Sequence, residues 1–243
     1  MVRLSERLEK IAGFVDAGMT AADVGTDHGY IPIYLIQNGI SPYVIASDIN
    51  AGPLEKMEEN LQKHMGDDRK GIIMRHGPGL EVLKPGEADA VVIAGMGGLL
   101  IEEILGKSPE VTDSVKRFIL QPRNAPDKLR KWLLDKGFRI TEEVLAKESR
   151  FVWEIICAEP GAGECAKDEY FSGSPEQYIV GQHVIRNSDP LLEEFVSNKI
   201  RVEREIAENA GKSVSFSAAE QKKEAEEKIR LLEGIMKNVG QKR

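Results

Sequence analysis

Apolar and polar positions alternate in two different ways along this chain. Up to about residue 159, short runs of apolar, largely β-branched residues alternate with stretches of helical periodicity. The runs predict strands at Ala21–Gly25, Tyr43–Asp48, Gly71–Arg75, Ala88–Gly95, Arg117–Gln121, Arg139–Glu143 and Phe151–Ala158, the last two adjacent and antiparallel. Between them the spacing predicts helices at Ile31–Asn38, Pro53–Met65, Leu99–Leu105 and Pro126–Gly137. For the last of these, Asn124 is the expected N-cap, Pro126 sits in the first turn and Gly137 is the stop. Near-continuous apolar strands separated by helices imply a mainly parallel sheet covered on both faces. The expected fold class is therefore α/β, a doubly wound seven-stranded sheet with an antiparallel strand near its end.

After Glu159 the texture changes. Pro160-Gly-Ala-Gly-Glu and Ser172-Gly-Ser-Pro175 read as turn-rich linkers, followed by two long charged segments, Asp189–Ala210 and Ala218–Val239. The second carries Ala225, Ile229, Leu232 and Met236 in a 4-3-4 spacing, a narrow seam. The first carries Leu192, Phe195, Val202 and Ile206 at matching positions, with Lys199 interrupting. Gly211-Lys-Ser-Val-Ser-Phe-Ser between them reads as a turn leading to an N-cap serine. A C-terminal two-helix coiled-coil hairpin follows, serving either as a structural tail or as an arm that grips a large substrate. The expected domains are residues 1–159 and 160–243.

Composition narrows the function classes. The chain has 243 residues, 41% of them hydrophobic, enough for one solid core plus an appendage. No apolar run approaches the length of a membrane span, and the first residues lack the apolar stretch of a secretory signal, so a cytoplasmic location is expected. Cys157 and Cys165 have no neighbours at metal-ligand spacing; two reduced thiols and no metal are expected. The net charge of −7 argues mildly against a nucleic-acid partner. Yet Lys116, Arg117, Arg123, Lys128, Arg130, Lys131, Lys136 and Arg139 crowd one stretch that holds only two acids, Asp127 and Asp135. That stretch is either a solvated helix face or a phosphate-contacting patch, because local fields rather than net charge steer polyanions.

The chemistry-bearing strings fall where the strands end. Ala22-Asp23-Val24-Gly25-Thr26-Asp27-His28-Gly29 follows an apolar strand and precedes a helix, a Rossmann-like arrangement in which bare glycine backbone approaches a ligand. In dehydrogenases such a turn cradles a pyrophosphate, which the carboxylates of Asp23 and Asp27 would repel. They suit a ligand carrying a sulfonium and an ammonium group, which favours S-adenosylmethionine over a nicotinamide cofactor. Asp48, ending the second strand 23 residues after Gly25, is placed to accept hydrogen bonds from ribose hydroxyls, with Ile49 and Asn50 beside it; alone it is a weak signal, since such an Asp could simply cap the next helix. Gly95-Met96-Gly97-Gly98 leaves the end of the fourth strand bare. Gln121-Pro122-Arg123-Asn124 supplies amide and guanidinium donors at the same sheet edge, from which a base can be read.

These strings resemble the bacterial tRNA (adenine-N1)-methyltransferases that modify adenine 22. The resemblance rests on Arg3-Leu4-x-x-Arg7-Leu8, Asp23-Val-Gly-Thr-Asp-His-Gly-Tyr30-Ile-Pro32, Asp48-Ile-Asn50 and Ala94-Gly-Met-Gly-Gly98, followed by Leu120-Gln-Pro, Leu129-Arg-x-Trp-Leu133 and Trp153-Glu-Ile-Ile156. It covers residues 3 to about 158, and the C-terminal hairpin agrees in kind. It implies S-adenosyl-L-methionine as cofactor, held by Asp23, Gly25, Thr26, Asp27, Gly29, Asp48, Ile49, Asn50, Gly77, Gly95, Met96 and Gly97. It implies tRNA as partner, with Gln121, Arg123, Asn124, Lys128, Arg130 and Lys131 toward the RNA. Two departures stand out: the family's Arg-x-Gly-Asp-Gly-Leu reads Arg75-His76-Gly77-Pro78-Gly79-Leu80 here, and Arg123 stands where an Asn follows Gln-Pro. Pro78 offers no side-chain acceptor to the cofactor's adenine and removes a backbone donor.

Methyl transfer to a ring nitrogen draws mostly on proximity and alignment, so no strong base is required. Asp27, His28 and Tyr30 lie closest to the chemistry. Asp27 is assigned first to the cofactor, His28 either stabilises the turn or helps the reaction, and Tyr30 is a stacking surface for a base brought out of the RNA. The competing readings are a methyltransferase for a small molecule or protein, a non-catalytic RNA-binding module and a nicotinamide-dependent oxidoreductase.

Overall fold

Strand runs with no polar interruption can only be stable between two covering layers, and the computed structural model provides both. It describes residues 1–161, 174–212 and 215–240. The parallel strands are β1 (Ala21–Val24), β2 (Val44–Asp48), β3 (Ile72–His76), β4 (Ala90–Met96) and β5 (Arg117–Pro122). Two longer strands complete the sheet, β6 (Arg139–Glu148) and β7 (Phe151–Glu159), in the order β3-β2-β1-β4-β5-β7-β6. The first five pair in parallel, and β7 runs antiparallel to β5, with Ile119 opposite Cys157. The fold is the expected doubly wound, Rossmann-like α/β sheet.

The helices lie where the apolar periodicity places them: α2 (Tyr30–Gln37), α3 (Ala51–Met65), α4 (Gly98–Lys107) and α6 (Pro126–Asp135), with the shorter α1 (Glu6–Ala12) and α5 (Pro109–Ser114) not foreseen. Alternate residues of one strand feed two cores. Ile45 joins a large cluster with Val91, Ile93, Ile101, Leu105, Phe118 and Leu129, whereas the next residue, Ala46, packs with Ile33, Met57 and Leu61. The strand order reverses between β1 and β4, which both start from the centre of the sheet. Crevices at such switch points, beyond the carboxyl ends of the strands, are where this architecture binds ligands.

The N-cap of α6 differs from expectation. Asn124 does not cap it; Ala125 does, in left-handed backbone with φ 46° and no side-chain hydrogen bond, and Pro126 occupies the first turn as expected. The Asn124 carbonyl instead accepts from the Gly98 N–H at 3.0 Å, which fastens the start of α6 to the start of α4. A side chain at position 98 would meet the Ala125 carbonyl oxygen at 2.5 Å, so glycine is required there.

Two compact units divide the chain, one of Met1–Glu142 and Ala146–Asp168, the other of Glu143–Leu145 and Glu169–Arg243. In the second unit, α7 (Pro175–Ile179) and α8 (Gln182–Arg186) precede the long α9 (Leu192–Gly211) and α10 (Phe216–Gly240), which pack together as a helical hairpin. An Arg204–Glu233 ion pair at 2.9 Å links them, and the Ser215 side chain accepts from the Ala218 N–H at the start of α10. Ala225 and Leu232 are buried as expected, joined by Ile235. Val202 is a correction: it is 44% exposed, because the seam of α9 runs through Val196, Lys199 and Ile206. Lys199 does not interrupt this seam, since its ammonium lies over the Phe195 ring at 4.8 Å and its stem covers apolar surface.

Among the described residues no helix is long and apolar enough to cross a membrane, and no cluster of three metal-ligating side chains exists. Cys157 is buried. Cys165, parts of both expected linkers and part of the 211–217 turn lie outside the described residues.

Candidate active site

The chain leaves β1 through Gly25, whose N–H donates to the Ser47 carbonyl at 2.8 Å, as does that of Thr26 at 2.9 Å. These bonds carry the turn along the end of β2, so that Asp23, Gly25, Asp27 and Asp48 converge. Gly25 has φ +78°, and a Cβ there would lie 2.1 Å from the Met96 Cε. Met96 reaches this position because β4 is irregular between Ala94 and Met96, where Gly95 takes φ 77°.

A cavity of about 620 Å³ opens beyond this contact. Asp23, Gly25, Thr26, Asp27, His28, Gly29 and Tyr30 form its turn side, and Asp48, Ala94, Gly95 and Met96 its strand ends. Arg7, Leu8, Gln121, Arg123, Glu148 and Trp153 complete the lining. A second cavity of about 250 Å³ shares Gly25, Asp48 and Met96 with the first and continues along Ile49, Gly77, Pro78, Leu80, Leu100 and Ile104. The two form one groove, mixed polar and apolar on one side of Gly25–Met96 and mainly apolar on the other. Ile49 and Leu100 are 61% and 47% exposed, large apolar surfaces offered to the smaller compartment.

The electrostatics of the polar compartment centre on Asp23. Its burial pushes the carboxyl up to about 6; the Thr26 side chain opposes that rise and the Asp48 charge adds to it. A buried carboxyl held near neutrality becomes fully ionised beside a cation, which suits it to a cationic ligand. Asp48 spends one oxygen on the Asn50 N–H at 2.7 Å and lines both compartments. The Asp27 carboxylate lies 3.2 Å from the His28 Nε2, and the His28 ring stacks on Tyr30 at 5.5 Å. Away from the turn, the Arg7 guanidinium joins Glu148 at 2.8 Å and donates to the Gln121 Oε1 at 3.0 Å, and the Ser5 hydroxyl donates to the other Glu148 oxygen. Burial alone would raise the Glu148 carboxyl; the Ser5 and Arg7 contacts outweigh it and hold it low.

Most of the residues expected at the site line the groove, with Gly77, Gly95 and Ile49 among them. Asn50 and Gly97 lie outside its walls and bear on it through the backbone around Asp48 and Met96. Toward the expected RNA side, Gln121 and Arg123 line the larger cavity, whereas Asn124, Lys128 and Lys131 do not. Arg130 is a correction. It is wholly buried and bonded to Glu154 at 2.6 Å, because its position on α6 faces the sheet rather than solvent. Much of the surrounding positive charge is also matched: Lys116 pairs with Asp89, Arg117 with Asp16, Lys131 with Asp135 and Arg139 with Glu159. The basic stretch is therefore largely an ion-paired surface, with Arg123 its member at the cavity. Arg7, Glu148 and Trp153 were not foreseen as site residues, although Arg7 and Trp153 stand in the strings that carry the family resemblance.

A Gly turn flanked by carboxylates at the switch point, opening on a half-polar, half-apolar groove, defines a methyltransferase domain, and residues 4–156 match the family described as a methyltransferase domain. The chain is 30% identical over 236 residues to the tRNA (adenine(22)-N(1))-methyltransferase of Bacillus subtilis, covering 97% of this chain and 98% of that protein. It belongs to the tRNA (adenine-22-N1)-methyltransferase family. Among solved structures, the B. subtilis m1A22 tRNA methyltransferase superposes with a TM-score of 0.83 at 29% identity, over 97% of this chain and 99% of that one. The M. capricolum TrmK, solved with the cofactor product S-adenosyl-homocysteine, superposes with a TM-score of 0.75 at 26% identity, over 98% of both chains.

Proposed function

We propose that this protein transfers the methyl group of S-adenosylmethionine to N1 of adenine 22 in tRNA, in the cytoplasmic compartment where tRNA matures. The observation that carries the reading is the two-sided groove across Gly25–Met96, in a chain whose relatives of nearly equal length are tRNA methyltransferases. The residues present fit the cofactor. Asp23 and Asp27 in the polar compartment match a sulfonium and an ammonium group, Asp48 at the junction matches ribose hydroxyls, and Ile49, Leu80, Met96 and Leu100 offer apolar faces to an adenine ring.

When bound, S-adenosylmethionine supplies a methyl group on cationic sulfur, which the adenine N1 lone pair takes as the S–C electron pair returns to sulfur. The chain's part is to hold and align. Glycine at 25 lets the backbone come close, and Asp48 fixes the ribose end. Positive charge that develops on the acceptor ring finds the Asp27 carboxylate and the His28 imidazole at the mouth of the turn, with Tyr30 stacked behind. Gln121 and Arg123 offer donors to the RNA.

Methyl incorporation from labelled S-adenosylmethionine into unmodified tRNA, beside a transcript substituted at adenine 22, tests the reading. Label in the first and none in the second is expected. Label in neither, with the cofactor still bound, would overturn it in favour of a small-molecule or protein methyltransferase.

A further inference from the structure

Two residues, Ser149 and Arg150, connect β6 to β7, with Ser149 in left-handed backbone at φ 56°. Because β7 runs antiparallel to β5, this tip lies at the same sheet edge as the carboxyl ends of the parallel strands. The side chains it presents there form a ladder. The Arg150 guanidinium lies over the Phe151 ring at 5.0 Å from its centroid, and the Phe151 and Trp153 rings are 5.5 Å apart at 41°. Phe151 and Trp153 share a strand face, being two residues apart. Trp153 lines the larger cavity, while Phe151 is 49% exposed. The indole N–H of Trp153 is buried with no hydrogen-bond partner among the described residues.

Resting on the tRNA reading above, we infer that this hairpin tip is the acceptor platform of the enzyme: Trp153 stacks the target adenine, and Phe151 with Arg150 holds the adjoining nucleotide. An aromatic ring beside a cation, continuous with a catalytic cavity, is the arrangement that receives unstacked bases, since every base offers a π-face and every nucleotide a phosphate. The base of the neighbouring nucleotide lies on Phe151 and its phosphate takes the Arg150 guanidinium. The target adenine lies against Trp153, within reach of the cavity that Asp27 and His28 also line.

Two measurements test this. Phe151 is exposed, so Phe151→Ala leaves the fold and the cofactor dissociation constant unchanged. The KM for unmodified tRNA rises about tenfold, Phe151→Leu behaves like Phe151→Ala, and Phe151→Tyr restores the wild-type value. In a Trp132→Phe background Trp153 is the only tryptophan, because the chain has two. Its fluorescence is quenched by unmodified tRNA and much less by a synthetic tRNA that lacks the base at position 22. A Phe151→Ala enzyme with wild-type KM, or equal quenching by both RNAs, overturns the platform while leaving the proposed reaction intact. A wild-type enzyme that labels no adenine 22 overturns the reaction itself.

Discussion

The Met96 methyl occupies the space that a Gly25 side chain would need: a Cβ built on Gly25 falls 2.1 Å from the Met96 Cε. Met96 thus closes the middle of the groove against bare backbone, and the two compartments meet over that contact. Position 25 is also held at φ +78°, where L side chains are strained. Gly25→Ala is expected to weaken S-adenosylmethionine binding by roughly a hundredfold and to destabilise the fold by about 1–3 kcal/mol. Isothermal titration calorimetry with S-adenosyl-homocysteine reads the first and urea denaturation the second. Unchanged affinity would separate this contact from cofactor binding.

Asp23 makes the ligand-free protein pH-sensitive. Burial lifts its carboxyl from 3.8 to about 6, so the fold binds this proton more tightly than the unfolded chain does. The resulting stability is fully present below about pH 4 and is lost as pH rises to about 6, up to about 3 kcal/mol in all. Thermal melts between pH 5 and 7.5 are expected to show a falling Tm component that Asp23→Asn removes. Cofactor affinity moves the other way. A cationic ligand needs the ionised carboxylate, so binding weakens about tenfold per unit below pH 6 in the wild type and not in Asp23→Asn.

Arg130 is a structural cation. With Glu154 at 2.6 Å and both side chains buried, Arg130→Ala strands a carboxylate in the core and is expected to cost about 3–5 kcal/mol by urea denaturation. Replacing both partners with apolar residues, Arg130→Met with Glu154→Leu, recovers most of that loss. Neither change alters the salt dependence of tRNA binding by the folded protein. A reduced slope of log Kd against log salt in the double variant would return Arg130 to the RNA surface.

Pro78 faces the apolar compartment with no side-chain acceptor. Its backbone, φ −83° and ψ 131°, is open to other residues. Pro78→Asp supplies the carboxylate that the family pattern carries at this position, and is expected to tighten S-adenosylmethionine binding about fivefold by calorimetry. If affinity is unchanged, the adenine ring is selected by packing alone.

The sheet and the cofactor turn were legible because both are local. Strand periodicity and the Asp23–Gly29 string involve residues close in sequence, and the fold brings them together without long detours. The burial of Arg130 was not legible, because it depends on a carboxylate 24 positions away on a strand that folds back from the far side of the sheet. Arg7 reaches the cavity from a helix that went unforeseen, although Ser5 ahead of the acidic first turn of Glu6 and Glu9 was a readable N-cap signal. Val202 fits the heptad count on α9, yet it is 44% exposed while Val196, outside that count, is buried.

The antiparallel insertion of β7 between β5 and β6 brings a wall of different origin to the cavity. The residues proposed for the methyl donor lie in and just after the segments that leave the parallel strands, and their spacing is held by contacts such as Gly25 on Met96 and Gly98 on Asn124. The Glu148–Trp153 wall comes from one hairpin, anchored at Glu148 by Ser5 and Arg7. On the platform reading proposed above, the acceptor contacts gather in a two-residue hairpin tip and the two residues beyond it, so exchanging residues 149–153 would change the acceptor while the Gly25–Met96 groove stayed as it is.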